Sequence, residues 1–161
     1  CYGVERLILL AAAAPCWTRR EGFPYGLTRE YVNGLIRQAC TDRPRLAWEF
    51  SHEQLFASCQ SEQIKDWFGD IALSASGIGT VQAAISLRDE DGRNDLEAVN
   101  VPTVIIHGKK DVVVSSQLVE YQHMEIAGSR LFQLENSGHG IVYDELERFN
   151  DLFLLAVEGE E

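Results

Sequence analysis

Basic residues are scarce in this chain: 14 Lys and Arg stand against 25 Asp and Glu, for a net charge of -11. Such a balance repels a phosphate backbone or an anionic membrane, so nucleic acid is not an expected partner. Long apolar runs are lacking too. The stretch from Leu7 to Pro15 is about half of the ~18 residues a membrane span needs, and it fits an inner parallel strand. Cysteine shows no paired C-x-x-C spacing. Cys1, Cys16, Cys40 and Cys59 lie in or beside apolar segments, so they are expected to be reduced and buried, as suits a cytoplasmic protein. No histidine has a credible metal-ligand spacing, and no metal is expected. Asp89 to Asp95 resembles a calcium loop only superficially, because Gly92 falls at the wrong position and Arg93 occupies a ligand slot. Internal repeats are absent, and the acidic tail Glu158 to Glu161 is expected to fray.

What is present is enough apolar residue, 45%, to fill one core, and two short blocks that carry chemistry. In the first, Val101-Pro-Thr-Val-Ile-Ile-His-Gly-Lys-Lys-Asp111, a strand-like run ends at a glycine and a carboxylate follows where the strand enters a loop. In the second, Leu131-Phe-Gln-Leu134 alternates as a half-buried strand does, and His139 follows between two glycines that leave its ring unobstructed. A neutral imidazole can take a proton from a hydroxyl and return it to a leaving group. A carboxylate on its other nitrogen fixes the tautomer and stabilises the imidazolium. His139 is therefore the candidate base and Asp111 its orienter. Alone, each residue reads as structural: a turn histidine and a helix-capping aspartate. His107 reads as a hydrogen-bonded structural residue at a strand end, and His52 and His123 as solvated helix residues.

Between these blocks and the strand at residues 4 to 11 the spacing predicts four helices. Thr28 caps the first; Pro44 sits in the first turn of the second; Ser61 caps the third, with Ile64, Trp67, Phe68 and Ile71 on one face; Ser76 caps the fourth, which places Ile78, Val81 and Ile85 together. This block is too long for a plain crossover, so residues 16 to 88 are expected to form a cap over the site. Trp17, Phe23, Trp48, Trp67 and Phe68 are candidates to line a pocket beneath it, though helical aromatics are more often core. After strand 101 to 107, a helix capped by Ser115 or Ser116 is expected to turn Leu118, Tyr121 and Met124 inward and to stop at Gly128. After strand 130 to 135, a last helix is expected to bury Leu146, Phe149, Phe153 and Ala156.

The acid and histidine blocks, together with Val4-Glu-Arg-Leu-Ile-Leu-Leu-Ala-Ala-Ala-Ala-Pro15 and Asp144-Glu-Leu-Glu-Arg-Phe-Asn150, resemble the distal half of an α/β-hydrolase, nearest its cofactor-free chloroperoxidase and esterase-like branch. In that fold the triad runs nucleophile, acid, histidine along the chain. The resemblance implies an α/β fold of parallel strands with flanking helices, residues 1 to 15 and 89 to 161 forming the core and 16 to 88 the cap. It implies no cofactor, a small-molecule acyl substrate, and Asp111 and His139 as triad acid and base; of the cap aromatics, Trp48, Trp67 and Phe68 are the candidates to contact the substrate. Leu146 stands where relatives often carry proline, which is expected to alter only how the last helix begins.

The family's Gly-x-Ser-x-Gly elbow occurs nowhere in the sequence. Ser74-Ala-Ser-Gly-Ile-Gly79 lacks the glycine two positions before either serine. The nucleophile is therefore expected upstream of Cys1, the chain alone is expected to be inactive, and the edge of strand 4 to 11 is expected to need the N-terminal half or another chain to cover it. Relatives with an aspartate nucleophile open epoxides or displace halide, and some α/β-hydrolase-like proteins only bind ligands. On the sequence these readings stay open.

Overall fold

A computed structural model describes residues 3–159. The expectation for Cys1 and that for the last two residues of the acidic tail fall outside these residues. Three strands, β1 (Leu7–Leu10), β2 (Thr103–Gly108) and β3 (Arg130–Leu134), form one parallel sheet in the order β1-β2-β3. Leu9 pairs with Ile105, and Ile105 with Leu131. β1 is shorter than the apolar run suggests because Ala11 takes a φ of 44°, a left-handed turn that ends the strand. β2 begins after Pro102, which has no N–H for the ladder.

The helices are α1 (Arg29–Thr41), α2 (Arg43–Glu49), α3 (Glu62–Ser74), α4 (Gly77–Asp89), α5 (Arg93–Leu96), α6 (Ser116–Glu125), α7 (Ile141–Asp144) and α8 (Leu146–Glu158). The predicted caps form: Thr28 accepts from the Tyr31 N–H, Ser61 from Ile64, Ser76 from Gly79 and Ser115 from Leu118. Asp42 caps α2, with Pro44 in its first turn. Leu146 opens α8, the position where proline is favoured because the first N–H has no partner within the helix. Three short elements were not expected: α5, α7 and a π-turn over Phe50–Gln54 that carries α2 on by a wider turn.

Side chains alternate across the sheet and bury both faces. Val104, Ile106 and Leu134 pack with Ile141, Phe149, Leu152 and Ala156 of α7 and α8. Ile105 packs on the other side with Val114, Leu118 and Val119, joined by Cys16 and Phe23 from the loop after β1. All six β2 residues are buried, as expected of a central parallel strand covered on both faces. Each fully buried Ile or Leu here contributes about 1.5–3 kcal/mol of apolar transfer.

Several burial expectations are corrected. α6 turns in Leu118, Val119 and Gln122, so its stripe drifts past Met124, which is 69% exposed. Leu146 is exposed at the start of α8, and Leu152 takes its place in the core. Ile78, Ile71 and Trp67 are exposed, because α3 and α4 are covered on one side only. Cys16 is buried, but Cys40 and Cys59 are exposed; Cys40 lies one residue, and so about 100° of helix, beyond buried Ala39. Among the described residues no single helix is long and apolar enough to cross a membrane.

Candidate active site

β2 and β3 run side by side in the same direction, so the loops leaving their C-terminal ends meet. Lys109 and Lys110 donate backbone N–H bonds to Leu134 and Ser137 across these loops, at 2.9 Å each. The Asp111 side chain is thereby enclosed. Its Oδ1 accepts from the N–H groups of Val113 (2.7 Å) and Val114 (2.9 Å), and its Oδ2 accepts from His139 Nδ1 at 2.9 Å. Three N–H donors thus converge on a carboxylate with no solvent exposure. With Nδ1 held, the tautomer is fixed and Nε2 is left to present its lone pair. The His139 ring is 24% exposed, open on one side only.

Two acids expected only to begin the last helix hold the histidine loop. Glu145 accepts from the Asn136 N–H and the Ser137 hydroxyl. Asp144 accepts from Gly138 N (2.7 Å), Ala57 N (2.9 Å), Ser58 N (2.9 Å) and Ser58 Oγ (2.5 Å), joining the loop to the segment after the π-turn. Burial pushes the Asp144 pKa up, but the bonds from Ala57, Ser58 and Gly138 outweigh it and hold the group below its ordinary value of 3.8. A depressed folded pKa stabilises above the unfolded value, and that stability is lost as pH falls through the folded one. Asp144→Ala strands these donors and is expected to cost about 2–3 kcal/mol in urea unfolding at pH 7, with the deficit shrinking as pH falls below 3.8.

The glycines flanking His139 serve close packing rather than an open ring. A Cβ on Gly140 would sit 2.7 Å from Phe56 Cδ1, and one on Gly138 3.0 Å from Ala57 N. Gly140 N also donates to Leu55 O at 2.6 Å. Phe50, in the π-turn, meets the His139 ring edge-on, with centroids 6.1 Å apart.

Beside this pair lies an apolar cavity of about 330 Å³ between the helices and the Asp111 loop. Val112, Val113, Trp17 and Phe50 line it near the loop, and Leu35, Leu46, Ala47 and Ala84 line it from the helices. Of the aromatic candidates only Trp17 faces it. Trp48, Trp67 and Phe68, expected against the substrate, do not line this cavity. Trp48 stacks on His52 at 4.5 Å, and Trp67 and Phe68 pack with Phe56 and Tyr143. Phe23 sits in the core against Tyr25 and Tyr121.

Of the other histidines, His52 and His107 differ from expectation, and His123 is exposed as expected. The His52 side chain is only 7% exposed, held by Ser51 Oγ, Trp48 O and Asp66. His123 is exposed and bonded to Ser129. His107 is fully buried, yet neither ring nitrogen has a hydrogen-bond partner among the described residues; Nδ1 is 3.9 Å from Asp111 Oδ2. Burial pushes its pKa below 6.5 against the pull of Asp111.

No protein-family model matches the chain. It is 40% identical over 149 residues to the AB hydrolase superfamily protein YisY of Bacillus subtilis, covering 92% of this chain and 55% of that protein. Among solved structures it is similar to an esterase from Exiguobacterium antarcticum (44% identity, TM-score 0.92, covering 96% of this chain and 57% of that one). It is likewise similar to a bromoperoxidase from Bacillus anthracis (28% identity, TM-score 0.90, covering 96% and 58%). The chain thus spans little more than half the length of these proteins, and its three-stranded sheet and flanking helices fit the C-terminal portion of their fold. The chain has the fold of the C-terminal portion of an α/β-hydrolase, and in sequence it is similar to that superfamily's esterases and chloroperoxidase-like proteins.

Proposed function

We propose that this chain is the acid-and-base portion of a serine hydrolase acting on a carboxylic ester or related acyl substrate. The observation that carries the reading is the 2.9 Å bond from His139 to enclosed Asp111, beside an apolar cavity. In this account His139 Nε2 takes the proton of a serine hydroxyl as its oxygen attacks the ester carbonyl. The tetrahedral intermediate collapses to an acyl-enzyme as His139 protonates the departing alkoxide. Water then repeats the sequence and frees the acid. In this reading the serine and the oxyanion amides come from outside these 161 residues, within which no Gly-x-Ser-x-Gly occurs. The helices α1 to α4 act as the cap, and the preceding part of the protein covers the open edge of β1, where Leu10 is 39% exposed.

The cavity takes the acyl chain. Its helical walls carry alanines at 39, 47, 72, 83 and 84, and its volume suits a small-molecule site. Ala84→Leu in the longer protein that contains this chain is expected to lower kcat/KM for an octanoyl ester by about tenfold or more while sparing an acetyl ester. Equal effects on both esters would place the acyl chain elsewhere. The 161-residue chain alone is expected to hydrolyse no activated ester. Turnover that vanishes on His139→Ala would refute the division of the triad.

A further inference from the structure

Asp111 is served unequally. Its Oδ1 accepts two backbone N–H bonds, whereas Oδ2 accepts one, from His139. On the remaining side of Oδ2, 3.9 Å away, stands Nδ1 of His107. By alternation along β2, His107 shares the face of Ile105, beneath the loop that bears Asp111. Its register neighbour in β3 is the uncharged Gln133. The titratable groups acting on it are Asp111, from the β2–α6 loop, and His139, from the β3–α7 loop.

A fully buried imidazole with no hydrogen-bond partner costs about 1–3 kcal/mol where an apolar side chain of its size would not. Chemistry also limits which proton it carries. A neutral ring has one N–H and one lone pair, and a lone pair on Nδ1 would face the lone pairs of a carboxylate oxygen. The charged ring is disfavoured by burial, and His139 already occupies the near side of Oδ2. The arrangement that avoids repulsion is a neutral ring with the proton on Nδ1.

We propose that His107 is a positioning residue for Asp111: a neutral imidazole, protonated on Nδ1, whose N–H acts as a reserve donor to Oδ2 and keeps water from the bond to His139. It acts through Asp111 and touches no substrate. The inference needs only the contact between Asp111 and His139, not the hydrolase reading. Correct histidine chemistry in a protein with no esterase activity would sink that reading and leave this one standing.

The test is NMR of the histidine ring nitrogens in the ¹⁵N-labelled protein from pH 8 to pH 5. His107 is expected to stay neutral, with Nδ1 protonated and Nε2 bare. A proton on Nε2, or a charged ring at neutral pH, overturns the proposal. A second arm compares variants by the exchange of the His139 Nδ1 proton with water. His107→Asn puts an amide donor near the Nδ1 position and is expected to keep the wild-type rate. His107→Gln, which moves the donor to the Nε2 position, and His107→Phe, which removes it, are expected to speed exchange about tenfold, as water reaches Oδ2 of Asp111 in place of the reserve donor. Equal rates in all variants overturn the proposal. If His107→Phe does not fold, the protonation pattern of the wild type decides.

Discussion

On the proposed reading, His139→Ala, made in a protein that joins this chain to a nucleophile elbow, is expected to lower kcat for an activated ester by roughly 10⁵-fold while leaving KM within a few-fold. The size follows from the steps the ring is proposed to serve. Without Nε2 the attacking hydroxyl keeps its proton, and no acid meets the leaving alkoxide; only binding and the oxyanion amides remain. Asp111→Asn is expected to cost about 10⁴-fold, because an amide that donates towards Nδ1 turns the ring into the wrong tautomer. The double variant is expected to be little worse than His139→Ala, since the two act as one unit. Asp111 also ties down Val113 and Val114, so the comparison must be made on folded protein. A loss under tenfold in His139→Ala would remove the ring from the reaction.

The largest expected effect on stability lies at Gly108, not at a large core residue. There the last residue of β2 passes directly beneath the histidine loop. A Cβ built on it would fall inside the van der Waals envelope of the carbonyl oxygens of Gly138 and Ser137. Those carbonyls are fixed. Ser137 O accepts from Lys110 N, and the loop is pinned by Asp144 and Glu145. Backbone cannot swing aside as a flexible side chain can, so Gly108→Ala is expected to cost about 3 kcal/mol or more in urea unfolding, at the upper end of overpacking penalties. It is also expected to separate Asp111 from His139, since the loops bearing both leave from this point. A cost under about 1 kcal/mol would mean that the two loops are not locked as described.

The sequence made some of this legible and hid the rest for physical reasons. Strand and helix positions could be read because alternation, spacing and side-chain caps are local: Thr28, Ser61, Ser76 and Ser115 each bond a backbone N–H three residues on. The proximity of Asp111 and His139 could be read because each closely follows a strand of one parallel sheet. The π-turn at Phe50–Gln54 could not, since it is an adjustment that the tertiary contacts of Phe50 with His139 and of the adjoining Leu55 carbonyl with the Gly140 N–H reward. Nor could the role of Asp144, whose partners Ala57 and Ser58 lie more than eighty residues away. Trp48, Trp67 and Phe68 were chosen by aromaticity, whereas the cavity is walled largely by alanines and aliphatic side chains. His107 looked like an ordinary strand-end residue; only its burial without a partner marks it as unusual.

The most direct test of the acid–base pairing is the rate at which a fluorophosphonate probe labels the longer protein, in wild type and in His139→Ala. The account predicts rapid labelling of a single serine outside these 161 residues, slowed by roughly 10³-fold or more when the imidazole is removed. Labelling at equal rates in the two proteins, or none in a folded wild type, would contradict it.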